Sequence, residues 1–458
     1  MSVESEGTLL TPSTTITDPG SPKVKKVSEF NDGRKTPNYS MYQSTADWFK
    51  QSFSSCYQDE MVESRLLSYL PFFPESDGKR KARIINTDIG NGKYIHELLI
   101  ENIETDKPGL SGTKEIVLVH GYAASLGLFI DNFDSLSQIP GVKIHAIDLL
   151  GFGSSSRPKF PNFPSKTKQD VYKVEDWFID SFEQWRLKRN IGKFILMGHS
   201  FGGYLSCAYA LKYNKKIIEN GVSLNLIEKM VLMSPVGVER SEAAFKHPKE
   251  DTKLQRQVTI EQEVLADQEE IVTGQAETPS QSGPEVPKTK TRKLIDYMWE
   301  RNHSPFTIIR NAGPFKSKLI SRWTCHRFSH VYYQNPEHFN NIHNYIYRIF
   351  NGAGSGEYAI TRILAVGALA KLPLLDRCPE KFVQMKLPTL WLYGDKDWMN
   401  DEAGLEMTNT INDLSKTTYS EKLANFKIIS NAGHHLYLDN PPEFAKVIYK
   451  FLGYTKKI

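Results

Sequence analysis

Residues 193–213, KFILMGHSFGGYLSCAYALKY, begin as a short apolar run, turn through Gly198, Ser200 and Gly202, and continue with apolar residues at helical spacing. Phe194, Ile195, Leu196 and Met197 have the length and composition of a fully buried strand. Tyr204, Leu205, Ala208 and Leu211 mark one face of an amphipathic helix. Between them lies Gly-x-Ser-x-Gly, a turn so tight that a Cβ at either glycine would collide with neighbouring backbone. Such a turn lifts the serine oxygen clear of a sheet and sets it at the start of a helix, where the Phe201 N–H points toward any oxyanion that develops. Read alone, the same residues also describe a glycine-rich strand-to-helix turn without chemistry.

Outward from this elbow, six more apolar runs alternate with turn and helix signals. They are YIHELLI from Tyr94, EIVLVHG from Glu115, VKIHAIDLLGFG from Val142, IEKMVLMSP from Ile227, TLWLYGDKD from Thr389 and FKIISNAGHH from Phe426. With helical segments such as VEDWFIDSFEQWRLKR between them, they predict an α/β fold: a mostly parallel sheet covered by helices on both faces. Sites in such sheets gather at the carboxyl ends of strands. Ser200, Asp397 and His434 all follow directly on such runs.

These three supply an oxygen nucleophile, an imidazole that takes its proton and returns it to a leaving group, and a carboxylate that orients the imidazole. Asp395 competes with Asp397 in YGDKDWM; Asp397 is preferred because it stands three residues beyond Gly394 and can turn back toward the strand end. His435 competes with His434, which is preferred because it follows the flexible NAG. After an early strand, VLVHGYAAS turns at His120 and Gly121, and the Tyr122 backbone N–H is expected to complete an oxyanion hole with that of Phe201.

The 458 residues carry 57 basic and 53 acidic side chains, net charge +4, too balanced for nucleic acid to be the main partner. The four cysteines, Cys56, Cys207, Cys325 and Cys378, lack C-x-x-C spacing, so neither a metal site nor a disulfide framework is expected. The longest apolar stretch, residues 363–370, is far short of a membrane span. The N-terminus holds Glu4, Glu6 and Asp18 and no early arginine, unlike a secretory signal or a good presequence.

Residues 1–43 are expected to be a disordered tail and 44–78 an amphipathic helical segment with Phe49, Phe53, Tyr57 and Met61 every fourth residue. That stripe reads more readily as a helix packed on the domain than as a lipid-contacting surface. A first core portion at 79–237 and a second at 376–458 then flank a cap at 238–375, a gap far longer than a simple connection. Within the cap, about residues 250–293 contain no aromatic side chain and read as a disordered insertion ending in KTKTRK.

DLLGFGSSSRP at Asp148, GHSFGG, RNAGPF at Arg310, NYIYRIFNGAGSGEYA at Asn344, YGDKDWM and GHHLYLDNP together resemble the α/β-hydrolase subfamily of cardiolipin-specific deacylases, lysophosphatidate acyltransferases, lysophospholipid hydrolases and a lipase co-activator. The likeness spans about residues 80–240 and 294–455. It implies an α/β-hydrolase fold with a helical cap inserted before the acid-bearing strand, and an active serine enzyme, since the co-activator branch lacks the serine present here as Ser200. The expectation is a phospholipid deacylase working through an acyl-serine, with no cofactor, peripheral to an internal membrane and by resemblance mitochondrial, with the cytoplasm or a lipid droplet as the alternative. One alternative is a lysophosphatidate acyltransferase taking acyl-CoA as co-substrate, with His434 and Asp439 as its H-x4-D motif. Another is a non-catalytic lipid-surface regulator of a lipase. Asp439 also has a sufficient structural task ahead of a helix capped by Asn440, with Pro441 at its first position and Glu443 set for a capping box.

Overall fold

The computed structural model describes residues 39–104, 114–214, 216–219, 222–245, 297, 301, 303, 304, 306–365 and 368–454. The expected tail up to residue 38 and the insertion at 250–293 lie outside the described residues. Residues 39–43, assigned above to the tail, are instead described: Ser40 caps a helix that begins at Met41.

Ten strands are described: β1 (Arg80–Gly90), β2 (Lys93–Asn102), β3 (Lys114–Val119), β4 (Val142–Ile147), β5 (Phe194–His199), β6 (Lys216–Glu219), β7 (Val222–Asn225), β8 (Ile227–Met233), β9 (Thr389–Gly394) and β10 (Ala424–Ile429). Eight form one sheet in the order β1-β2-β4-β3-β5-β8-β9-β10, and β6 pairs with β7 in a separate hairpin. Within the eight-stranded sheet β1/β2 and β2/β4 are antiparallel and all other neighbours parallel. All seven apolar runs are strands. β1 was not foreseen, because charged Arg80, Lys81 and Arg83 on this exposed edge blur its alternation. Its hairpin signal was there to read: Asn91 and Gly92, both at positive φ, make the two-residue turn into β2.

Alternation along the strands divides the interior into two layers. Val117, Val119, Leu196 and Trp391 face one core, while Ile116, Leu118, Ile195 and Leu392 face the other, all essentially buried. At about 1.5–3 kcal/mol for each large apolar side chain removed from water, the sheet is held by its two faces rather than by its edges.

The first core is covered by α4 (Lys168–Lys188) and α5 (Phe201–Tyr213), with α11 (Pro379–Met385) and α12 (Asp401–Tyr419) beyond them. α5 is not amphipathic as expected; every residue from Phe201 to Ala210 is buried, as suits a helix wedged between sheet and α4. The second core is covered by α3 (Ile130–Leu136), the short α13 (Leu436–Asp439) and α14 (Pro441–Leu452). The N-terminal α1 (Met41–Phe53) packs on α7 (Lys316–Arg327) and α2 (Asp59–Leu67) on α9 (Pro336–Asn351) of a cap whose other described helices are α6 (Phe306–Asn311), α8 (Ser329–Gln334) and α10 (Ile360–Ile363).

α1 packs on the cap through its polar face, the reverse of the expected orientation. Ser44 Oγ donates to Pro314 O (2.6 Å) and accepts from Lys318 N (2.8 Å), Asp47 accepts from Ser317, and Gln51 donates to Asn344 (2.8 Å). Phe49 and Phe53 stay 61% and 70% exposed. No described helix is long and apolar enough to cross a membrane.

Three of the quoted motifs meet where the cap joins the sheet. Arg310 Nη2 lies 2.5 Å from Glu357 Oε1, linking RNAGPF to SGEYA. A Cβ on Gly151 would stand 2.4 Å from Gly356 N, so the loop after β4 and the SGEYA turn touch backbone to backbone. Asp148, fully buried, accepts from Leu126 N and Ser154 N, both at 2.7 Å, and burial pushes its carboxyl up to about 6.

Candidate active site

Ser200 lies between β5 and α5 at φ 50° and ψ −117°, a conformation that costs a non-glycine residue about 1–3 kcal/mol and persists only where its surroundings enforce it. They do so here: its N–H donates to Met233 O (2.9 Å), and its carbonyl accepts from Tyr204 N (3.1 Å) and Val236 N (3.3 Å). A Cβ on Gly202 would sit 2.3 Å from His120 O, and one on Gly198 2.4 Å from Ser206 Oγ. Gly202 is therefore required by close approach of α5 to the end of β3, and Gly198 by close approach of the end of β5 to α5.

Phe201 is the first residue of α5, so its N–H belongs to those the helix itself leaves unpaired. On the other side, a Cβ on Gly121 would fall 3.0 Å from Ser200 Cβ, which sets the turn carrying Tyr122 directly beside the serine. His120 holds that turn. Its Nε2 accepts from Leu149 N (3.0 Å), which leaves Nδ1–H to donate to Gly121 O (2.7 Å), and burial pushes the imidazole down to about 4, keeping it neutral.

Asp397 and His434 are brought together: Asp397 Oδ1 lies 3.3 Å from His434 Nδ1, with the two side chains 1% and 8% exposed. Oδ1 also accepts from Met399 N (3.0 Å), and Oδ2 accepts from the hydroxyl of Ser234. Hydrogen-bond donors thus surround the buried carboxylate. Asp395 is exposed and accepts from Ala432 N (2.9 Å), pinning the loop after β10 instead of meeting the imidazole. Trp398 packs on His434 at 4.5 Å between ring centroids, and His199 Nε2–H donates to His434 O (3.0 Å), tying the elbow to the histidine loop.

His435 stands 5.3 Å from His434, between His199 and Trp323 of the cap; burial, with the Arg327 charge second, holds its imidazole well below the usual range. Asp439 does not meet His434. Its Oδ2 accepts from Gly433 N (2.8 Å) and lies 3.3 Å from Arg327 Nη2 on α7. Asn440 caps α14 as expected, accepting from Glu443 N (3.2 Å), but the box is not reciprocal: Asn440 N is bonded to Leu436 O, so Glu443 accepts from Ser430 N (2.9 Å) instead.

Ser234, Trp398, His199 and Arg327 were not singled out from the sequence. His199 is the last residue of β5 and Ser234 the first after β8, so strand ends carried the only usable signal. Arg327 comes from a cap helix remote in sequence and had none.

A family model described as alpha/beta hydrolase fold matches residues 114–441. The chain is 29% identical over 398 residues to a 1-acylglycerol-3-phosphate O-acyltransferase of Arabidopsis thaliana, covering 84% of this chain and 78% of that one. It is 30% identical over 347 residues to a probable 1-acylglycerol-3-phosphate O-acyltransferase of Oryza sativa subsp. japonica (74% and 68%). A (lyso)-N-acylphosphatidylethanolamine lipase of Bos taurus is 27% identical over 347 residues (75% and 80%). With the parallel sheet, the elbow and the residues at its strand ends, this match makes the chain a member of the α/β-hydrolase family.

Proposed function

We propose that the protein is a serine-dependent acyl hydrolase of glycerophospholipids, acting on cardiolipin or a related phospholipid or lysophospholipid. One observation carries the reading: the buried Asp397 carboxylate is bonded to His434 Nδ1, while Asp439 is engaged by Gly433 and Arg327. Ser200 Oγ attacks the ester carbonyl and passes its proton to His434, and the Phe201 and Tyr122 N–H groups take the oxyanion. His434 returns the proton to the departing lysolipid hydroxyl. Water, activated by the same imidazole, then releases the fatty acid and restores Ser200. No cofactor enters these steps. The enzyme works peripherally on an internal membrane, mitochondrial by its motif resemblance.

A second reading, transfer of the acyl group to a lysophosphatidate hydroxyl, is favoured by the names of the plant relatives. It uses the same groups, and the acceptor is chosen by water exclusion. Purified protein incubated with defined phospholipids, with and without acyl-CoA, and analysed by mass spectrometry separates the two. Free fatty acid that disappears with Ser200→Ala, together with loss of fluorophosphonate labelling, is the expected result. Acyl transfer to lysophosphatidate in place of free fatty acid, or acyl-CoA-dependent transfer that survives Ser200→Ala but not Asp439→Asn, would overturn it.

A further inference from the structure

α7 turns two side chains, four residues apart and thus on one face, toward the candidate site. Trp323 meets His435 at 6.4 Å between centroids, and Arg327 reaches Asp439. The arginine is only partly used. Among the described residues its one ionic contact is the 3.3 Å approach of Nη2 to an oxygen already accepting from Gly433 N at 2.8 Å, and its buried Nε–H has no acceptor among them. Tyr437, two residues beyond His435 and within reach of the Arg327 charge, likewise has a buried hydroxyl with no partner. A buried guanidinium N–H left without an acceptor costs about as much as a lost charged hydrogen bond, and native proteins seldom leave one so. A guanidinium keeps its charge throughout the physiological range and offers a planar fork that fits phosphate oxygens.

We propose that Arg327 forms an anion subsite that takes the phosphate of the substrate's headgroup, fixing which ester carbonyl reaches Ser200. This rests on the phospholipid reading above and names the group that recognises the lipid's charge. Asp439 then has two tasks: it holds the histidine loop through Gly433 and aligns the guanidinium until phosphate arrives.

The test compares short-chain, water-soluble dihexanoyl phosphatidate with dihexanoyl glycerol, which differ in the phosphate alone. For Arg327→Gln, the ratio of kcat/KM for the phosphorylated over the neutral substrate should fall at least tenfold, through KM, and Arg327→Lys should recover part of it. Calorimetric binding of dihexanoyl phosphatidate to Ser200→Ala protein should weaken at least tenfold on adding Arg327→Gln. An unchanged ratio, or equal losses on both substrates through kcat, would make Arg327 a structural tether and overturn the subsite. If wild type cleaves neither ester, the hydrolase reading fails, and the binding arm still decides the subsite. Where Arg327→Gln does not fold, Arg327→Lys is judged by the same ratio.

Discussion

Asp395 and Asp397 share one turn, and their partners separate them: the exposed one braces Ala432 N–H, the buried one is bonded to an imidazole. Asp397→Asn puts an amide where an anion orients His434, and should lower kcat by about 10³–10⁴ with an esterase assay on p-nitrophenyl butyrate. Asp395→Asn keeps an oxygen for Ala432 N–H and should stay within about threefold of wild type, since an exposed neutral substitution of this kind rarely exceeds 0.5 kcal/mol. If the two results exchanged, the acid would be Asp395. Asp439 differs from both: because it anchors the residue before His434, Asp439→Ala should release the histidine loop and reduce kcat about tenfold with KM for a neutral ester little changed, the behaviour of a positioning group. The elbow glycines answer to space alone. Gly202→Ala would thrust a methyl 2.3 Å from His120 O, so the variant should lose most soluble expression or several degrees of Tm by calorimetry.

At the scale of elements, the sequence displayed what periodicity can display. Most of the seven apolar runs are strands buried on both faces, with His96, Glu97 and His145 as buried polar exceptions, while the edge strand β10 alternates buried with exposed residues; the strand-end positions of Ser200, Asp397 and His434 followed from that pattern alone. What periodicity could not reveal was direction. The stripe of Phe49, Phe53, Tyr57 and Met61 suggested a buried face, yet Ser44, Asp47 and Gln51 are the residues satisfied against the cap, and Phe49 and Phe53 remain exposed. A hydrogen-bonded polar face can dock as well as an apolar one, and only the partner's groups on α7 and α9 disclose which it is. Nor could α5 be seen as buried all round, since that depends on α4 closing over it. An aromatic face left open on α1 suits a lipid surface. Phe49→Ser with Phe53→Ser should therefore weaken sedimentation with anionic phospholipid vesicles at least fivefold while Tm moves by no more than a few degrees. Unaltered vesicle binding would return the stripe to an unexplained exposed patch.

Across the whole molecule, buried charge joins parts that the chain separates widely. Arg377, past the cap, grips Glu175 of α4 with both ends of its guanidinium at 2.6 and 2.9 Å, so the two core portions are clasped through the layer that holds α4. A second network crosses three strands. His145 on β4 lies 2.6 Å from Glu97 on β2 and 2.5 Å from Glu115 on β3, and Glu97 also accepts from Trp185 Nε1 (3.0 Å) and Arg189 Nε (2.9 Å) of the α4 end. Burial alone would lower the His145 pKa, but the two carboxylates outweigh it and raise it; both carboxylates are in turn held below their usual range, against burial, by His145. A histidine raised in the folded state contributes fully below its unfolded pKa of about 6.5, and the contribution is lost as pH rises through the folded value. The carboxylates, lowered on folding, contribute above their unfolded pKa of about 4.3 and fail as pH falls through their folded values. The network is therefore strongest between roughly pH 4.5 and 6.5. Breaking a buried charged pair by removing one partner costs about 3–5 kcal/mol, so His145→Gln should lose about 3 kcal/mol in urea unfolding at pH 6 and clearly less at pH 9. His96, raised by Glu63 against its own burial, acts with the same sign, so the variant should keep a smaller decline with pH that His96→Gln then removes. A cost for His145→Gln that is equal at both pH values would mean the imidazole is neutral in the fold and serves only as a hydrogen-bonding spacer between the strands.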